Sequence, residues 1–293
     1  MQGVIAAIPT PVDQSGRPQR AAFAEHGRWA LANGCDGLNV LGSTGEANSF
    51  DHAARVEVMG WAAAEFGPDR LMVGTGTPSL AETVALTAVA DDLGYGVALV
   101  LPPYYYTPPS DAGLIAWYQA LDAALGARKI RLYFYNYPQM TGFGIPVPVI
   151  AALHRARPER FCGIKDSSGD LAYCRTLAGL LPRLRVFPSN EAALAEARQA
   201  GFAGCISATA NISAPLCRRL WRGEGDLLPQ VVALRQAISA QPLIPSVKHM
   251  VARRSGAAIW DNVLPPFLPL EAQARAELDR IELPRPLAAG AET

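Results

Sequence analysis

Eight times along this chain a short apolar run, rich in β-branched residues, ends in Gly, Pro, Ser, Thr or Asn and gives way to a stretch with helical spacing. The runs are Val4–Thr10, Leu38–Ser43, Leu71–Gly76, Val97–Pro102, Ile130–Asn136, Phe161–Ser167, Leu184–Asn190 and Cys205–Thr209. Their starts recur at roughly 20–35 residues, the length of a strand, a crossover helix and two loops. Between them lie Ala-, Leu-, Glu- and Arg-rich segments: Ala21–Asn33, Asp51–Phe66, Ser79–Leu93, Asp111–Leu125, Leu171–Leu181 and Glu191–Ala200. Several close on a helix-stop glycine, at Gly34, Gly94 and Gly201. Eight alternating units predict an α/β fold, a (β/α)8 TIM barrel rather than a doubly wound sheet. The strand signal stops after Thr209. The expected layout is therefore a barrel over residues 1–213 and a C-terminal helical extension over residues 214–293. Breaks in the extension are expected at Gln241–Pro245 and Pro265–Pro266, and a frayed tail over Pro284–Thr293.

A chain of 293 residues, half of them apolar, can bury a large core. Its formal net charge of zero leaves no basic field for nucleic acid or an anionic membrane, so the expected partner is a small molecule or another copy of the chain. The five cysteines form no C-x-x-C pair and sit in or beside apolar runs, which reads as reduced, buried thiols in a cytoplasmic protein without a metal site. The N-terminus lacks a basic segment, and its apolar run is too short for a signal peptide or a span.

Arginine supplies nearly all the positive charge; the only lysines are Lys129, Lys165 and Lys248. Lys165 lies in the apolar run Phe161-Cys-Gly-Ile-Lys-Asp166. Burial there would favour the neutral amine, the form that attacks a carbonyl. The alternative is a strand-closing lysine that reaches water or pairs with Asp166. Reacting groups of such barrels sit where strands end. Gly42-Ser-Thr-Gly-Glu46 can face an anion with backbone N–H groups and hydroxyls, and tyrosines close the fourth and fifth runs. The four histidines fall in helical segments and receive no catalytic role, Gly74-Thr-Gly76 is too short for a dinucleotide signature, and Lys248 is expected on a solvated helix face.

Gly42-Ser-Thr-Gly-Glu46, Tyr135-Asn-Tyr-Pro138 and Gly163-Ile-Lys-Asp166, in this order on units of one barrel, resemble the dihydrodipicolinate synthase and N-acetylneuraminate lyase family of pyruvate-dependent class I aldolases. The resemblance extends from Val4 into the helical tail. It implies that Lys165 forms an imine with pyruvate or a 2-oxo acid, with no separate cofactor. Tyr135 would be the proton-transfer phenol, Ser43 and Thr44 would hold the pyruvyl carboxylate, and Ile206 would pack behind it. Tyr105 would reach across a subunit interface to a relay with Thr44 and Tyr135, implying a homodimer or homotetramer.

One departure bears on the substrate. The resemblance implies an arginine two residues after Tyr-Asn-x-Pro, holding the carboxylate of the aldehyde substrate, where this chain has Met140. A thioether cannot make that bidentate contact. Asn190 and Glu191 match positions that the lyase branch uses for substrate hydroxyls. The expected activity is therefore reversible aldol cleavage of a 2-keto-3-deoxy sugar acid or sialic-acid-like compound. Dehydration through the same imine is the alternative, 4-hydroxy-tetrahydrodipicolinate synthesis is disfavoured by Met140, and a catalytically silent 2-oxo-acid-binding homologue is the reading of another class.

Overall fold

The computed structural model describes residues 1–287. Its eight parallel strands are β1 (Gly3–Ala7), β2 (Gly37–Val40), β3 (Leu71–Gly74), β4 (Val97–Val100), β5 (Arg131–Asn136), β6 (Phe161–Asp166), β7 (Arg185–Pro188) and β8 (Gly204–Ser207). The order β7-β6-β5-β4-β3-β2-β1-β8 makes chain neighbours spatial neighbours, with β1 paired to β8. Across the remaining seam the Ala203 amide donates to the Val186 carbonyl at 2.8 Å, so the barrel is nearly closed.

Alternation along the strands builds two cores. Ile5 and Ala7 point inward and join Met72, Leu99, Tyr133, Phe187 and Ile206 inside the barrel. Val4, Ala6 and Ile8 point outward and pack beneath the helices. Two glycines let the strand ends approach closely. A β-carbon at Gly74 would sit 2.2 Å from the Leu41 carbonyl oxygen, and one at Gly76 would sit 2.3 Å from the Leu101 nitrogen. Close packing thus accounts for the Gly-x-Gly.

The helices are α1 (Arg20–Ala32), α2 (His52–Phe66), α3 (Leu80–Asp92), α4 (Asp111–Leu125), α5 (Pro138–Thr141), α6 (Val147–Ala156), α7 (Leu171–Leu180), α8 (Ala197–Ala200), α9 (Ala210–Arg222), α10 (Leu228–Ser239), α11 (Leu243–Ser255) and α12 (Ala272–Asp279). Asp51, Ser79, Ser110 and Asp170 cap α2, α3, α4 and α7 by accepting backbone N–H groups, each worth about 1 kcal/mol. The single helix expected over Glu191–Ala200 is instead a 3-10 segment, Glu191–Ala195, followed by the short α8. Its first turn is tied down by the side chains of Asn190 and Glu191.

Residue 214 falls inside α9, which packs on β1 as the eighth barrel helix, so the barrel runs on to about Arg222. Helices α10 to α12 have a core of their own around Ile238, Val247, Val251, Trp260 and Leu278. The break expected near Gln241–Pro245 separates α10 from α11, with Pro245 in the first turn of α11, where its missing N–H is tolerated. The tail expected to fray is docked over Pro284–Leu287, where the Leu287 amide donates to Asn33 Oδ1 at 3.0 Å. The rest of that expectation, residues 288–293, lies outside the described residues. Among the described residues no helix is long and apolar enough to cross a membrane, and no group of three or more His, Cys, Asp or Glu side chains could hold a metal ion.

His26 is buried between barrel and extension, its Nε2 2.9 Å from Asn211 Oδ1 and its Nδ1 3.3 Å from Arg254 Nη2. Since Arg254 can only donate, Nε2 carries the proton and the ring is neutral. Burial and the Arg254 charge push its pKa down to about 4, below the ordinary 6.5. A depressed folded-state pKa means that stability is complete above pH 6.5 and is lost as pH falls toward 4, because only the unfolded chain takes up the proton. Urea unfolding at pH 7 and pH 4.5 should therefore differ by roughly 2–3 kcal/mol more in the native protein than in a His26→Gln variant.

Candidate active site

The register of β5 and β6 sets Tyr135 directly opposite Lys165. Paired positions share a face, so both side chains enter the barrel. Lys165 is 4 % exposed, its Nζ 3.2 Å from Tyr135 Oη and 4.4 Å from the ring centroid. Tyr135 Oη lies in turn 3.2 Å from Ser43 Oγ. Asp166 faces the other way, accepting from Asn136 Nδ2 at 2.7 Å and Ser168 Oγ at 2.8 Å, so Lys165 does not pair with it. Desolvation raises the Asp166 pKa against those hydrogen bonds.

The chamber at Lys165 is about 250 Å³ and is lined also by Ser43, Thr44, Tyr137, Met140 and Ile206. Its roof is Pro242, Leu243, Ile244 and Phe267, all from beyond the barrel proper. Tyr137 stacks on Tyr135 with centroids 5.7 Å apart, and burial raises its pKa against the opposing Arg235 charge.

The loop after β2 is a tight turn with two unengaged amides. The amides of Gly45 and Glu46 close turns onto Gly42 and Ser43, whereas those of Ser43 and Thr44 donate to none of the described residues. Leu41 and Glu46 flank it in left-handed conformation, with φ of 51° and 54°, strain that persists only where surroundings impose it. At Glu46 two groups of the extension hold the side chain. Glu46 Oε2 receives Lys248 Nζ at 2.5 Å, and Glu46 Oε1 receives the Leu264 amide at 2.7 Å. The solvated position expected for Lys248 is thus a fully buried ion pair. Burial lowers the Lys248 pKa, and Glu46 opposes this.

The structure brings together Lys165, Tyr135, Ser43, Thr44, Ile206 and Met140. In the hydroxyl chain it substitutes Ser43 for Thr44, since Ser43 is the one bonded to Tyr135. Tyr105 is 76 % exposed and edge-on to Tyr106, away from the partners of Tyr135 in its own chain. Asn190 caps the following turn. Glu191 is corrected most: it is fully buried, accepts from Thr209, Ser213 and Arg235, and does not line the chamber. The reading of sequence missed Arg235 on α10 and the roof residues, of which Leu243 and Ile244 open α11, Pro242 precedes it and Phe267 lies in the irregular segment before α12, none of them in a local motif.

This geometry defines the class first: a (β/α)8 barrel with lysine, phenol and hydroxyl in line inside its C-terminal mouth. The chain belongs to the Dihydrodipicolinate synthetase family, which it matches over residues 1–282, and is a lyase of the class I aldolase type. It is 32 % identical to an uncharacterized DapA-like lyase of Chloroflexus aurantiacus, over 96 % of this chain and 97 % of that one. It is 34 % identical to the 4-hydroxy-tetrahydrodipicolinate synthase of Rhodospirillum centenum, over 92 % and 94 %. The crystal structure of dihydrodipicolinate synthase from Agrobacterium tumefaciens superposes with a TM-score of 0.90 at 30 % identity, covering 95 % and 97 %.

Proposed function

We propose that Lys165 forms an imine with a 2-oxo acid and that the enzyme reversibly cleaves the C3–C4 bond of a 2-keto-3-deoxy sugar acid in the cytosol. The observation that carries this reading is the line Lys165 Nζ, Tyr135 Oη, Ser43 Oγ, with 3.2 Å at each step. The amine adds to C2 and water leaves. Tyr135 accepts the C4 hydroxyl proton while its own passes to Ser43, which hands its hydroxyl proton on to water; the C3–C4 electrons flow into the iminium, and an aldehyde departs. The enamine then takes a proton at C3, and water releases pyruvate. The free amides of Ser43 and Thr44 suit the pyruvyl carboxylate, fixing the carbonyl for attack. Incubation with pyruvate and borohydride should give a single secondary-amine adduct on Lys165, read by intact mass and peptide mapping. An adduct on Lys129 or Lys248 instead would sink the proposal.

Tyr135→Phe should lower turnover by about 10²–10³-fold while the borohydride adduct still forms, because the phenol moves protons and does not make the imine. The names of the relatives favour a second reading, 4-hydroxy-tetrahydrodipicolinate synthesis, against which stands Met140. Assaying release of pyruvate from sugar acids beside that condensation separates the two. The exposed Tyr105 fits delivery to a second copy of the chain, and sedimentation would show the dimer or tetramer this requires.

A further inference from the structure

Arg235 is the one guanidinium among the described residues that lines the Lys165 chamber, and it comes from α10, outside the barrel. All its hydrogen bonds are made through Nη1, to Glu191 Oε2 at 2.6 Å, Thr209 Oγ1 at 3.1 Å, Ser207 Oγ at 3.2 Å and the Ser189 carbonyl at 3.2 Å. None of the described residues accepts from Nε or Nη2, and the side chain keeps 24 % of its surface accessible. One corner is thus pinned by a buried carboxylate, and the side chain lines the chamber together with Ser189 and the roof residues.

Glu191 cannot serve as a competing ligand. It is fully buried behind Arg235 and already accepts hydroxyl donors from Thr209 and Ser213. Its contribution is to fix the fork. The adjoining cavity contains another arginine, Arg55, but that residue does not line the chamber of Lys165. Met140, which also lines the chamber, offers no charge.

We propose that the free edge of Arg235 binds a carboxylate on the half of the substrate remote from the imine, so that the preferred substrate is a 2-oxo acid acidic at both ends. This rests on the imine reading and narrows it from sugar acids in general to those whose departing aldehyde carries a carboxylate. A fixed, planar fork in a partly dehydrated chamber favours such a group over a hydroxyl.

The test compares two non-cleavable 2-oxo acids of equal length, 2-oxoadipate and 2-oxohexanoate, by the concentration giving half-maximal borohydride trapping on Lys165, with pyruvate as reference. The native enzyme should favour 2-oxoadipate by about tenfold or more, and in Arg235→Lys, which keeps a cation for Glu191 but loses the fork, that ratio should collapse toward one. Equal trapping of the two acids by the native enzyme overturns the proposal even if the variant does not fold. A preference that survives Arg235→Lys overturns it as well. If pyruvate itself is not trapped, the imine reading fails and this inference with it; if pyruvate is trapped without a preference, only the role of Arg235 falls.

Discussion

Lys165→Ala is expected to leave a folded protein that forms no borohydride adduct and turns over its substrate roughly 10⁴-fold more slowly, or not measurably. On the imine proposal the loss should be this large because the iminium would itself be the electron sink; without the amine, Tyr135 and the loop after β2 would have no activated carbon to act upon. Stability should change little. The Lys165 side chain makes its hydrogen bond to Tyr135 and borders an existing cavity, so truncation widens that cavity rather than opening one in a packed core. Thermal melting within a few degrees of the native protein, beside absent turnover, would separate chemistry from folding. Residual turnover near the native rate would remove Lys165 from the reaction.

The other buried lysine should behave in the opposite way. Lys248→Met is expected to cost about 3–5 kcal/mol of unfolding free energy, since it leaves the Glu46 carboxylate buried without its charge partner. The Glu46→Gln, Lys248→Met double variant should recover a substantial part of that loss, because an amide is cheaper to bury than a lone carboxylate. Urea denaturation of the native protein, both single variants and the double variant completes the cycle. A Lys248→Met loss below about 1 kcal/mol would show that the pair does not anchor the loop. Pyruvate binding should weaken in the single variants, since Glu46 closes the loop that presents Ser43 and Thr44.

These two lysines also mark how far the sequence can be read. The apolar runs announced all eight strands because alternating burial and β-branched packing are written locally. Lys165 was legible for the same reason, a lone cation inside such a run. Lys248 was not: a helical position is exposed or buried according to what packs on it, and its partner Glu46 lies 202 residues away. Arg235 and Glu191 failed in linked fashion. Residues in sequence proximity to a strand end look like substrate contacts, yet Glu191 turns into the protein to hold an arginine from the extension. The exchange of Ser43 for Thr44 in the hydroxyl chain was not legible either, because two adjacent hydroxyl residues in a turn carry no local signal of which one faces Tyr135.

The grip of Lys248 and Leu264 on Glu46 bears on how a gene of this kind can be cut and rejoined. A fragment ending at α9 would encode all eight strands with their barrel helices, yet it would lose both groups that hold the loop after β2 at Glu46, together with Arg235 and the roof. Such a fragment is not a portable cassette. Recombination that exchanges extensions between relatives would pass on Lys165 unchanged while rewriting the roof and the arginine beside it.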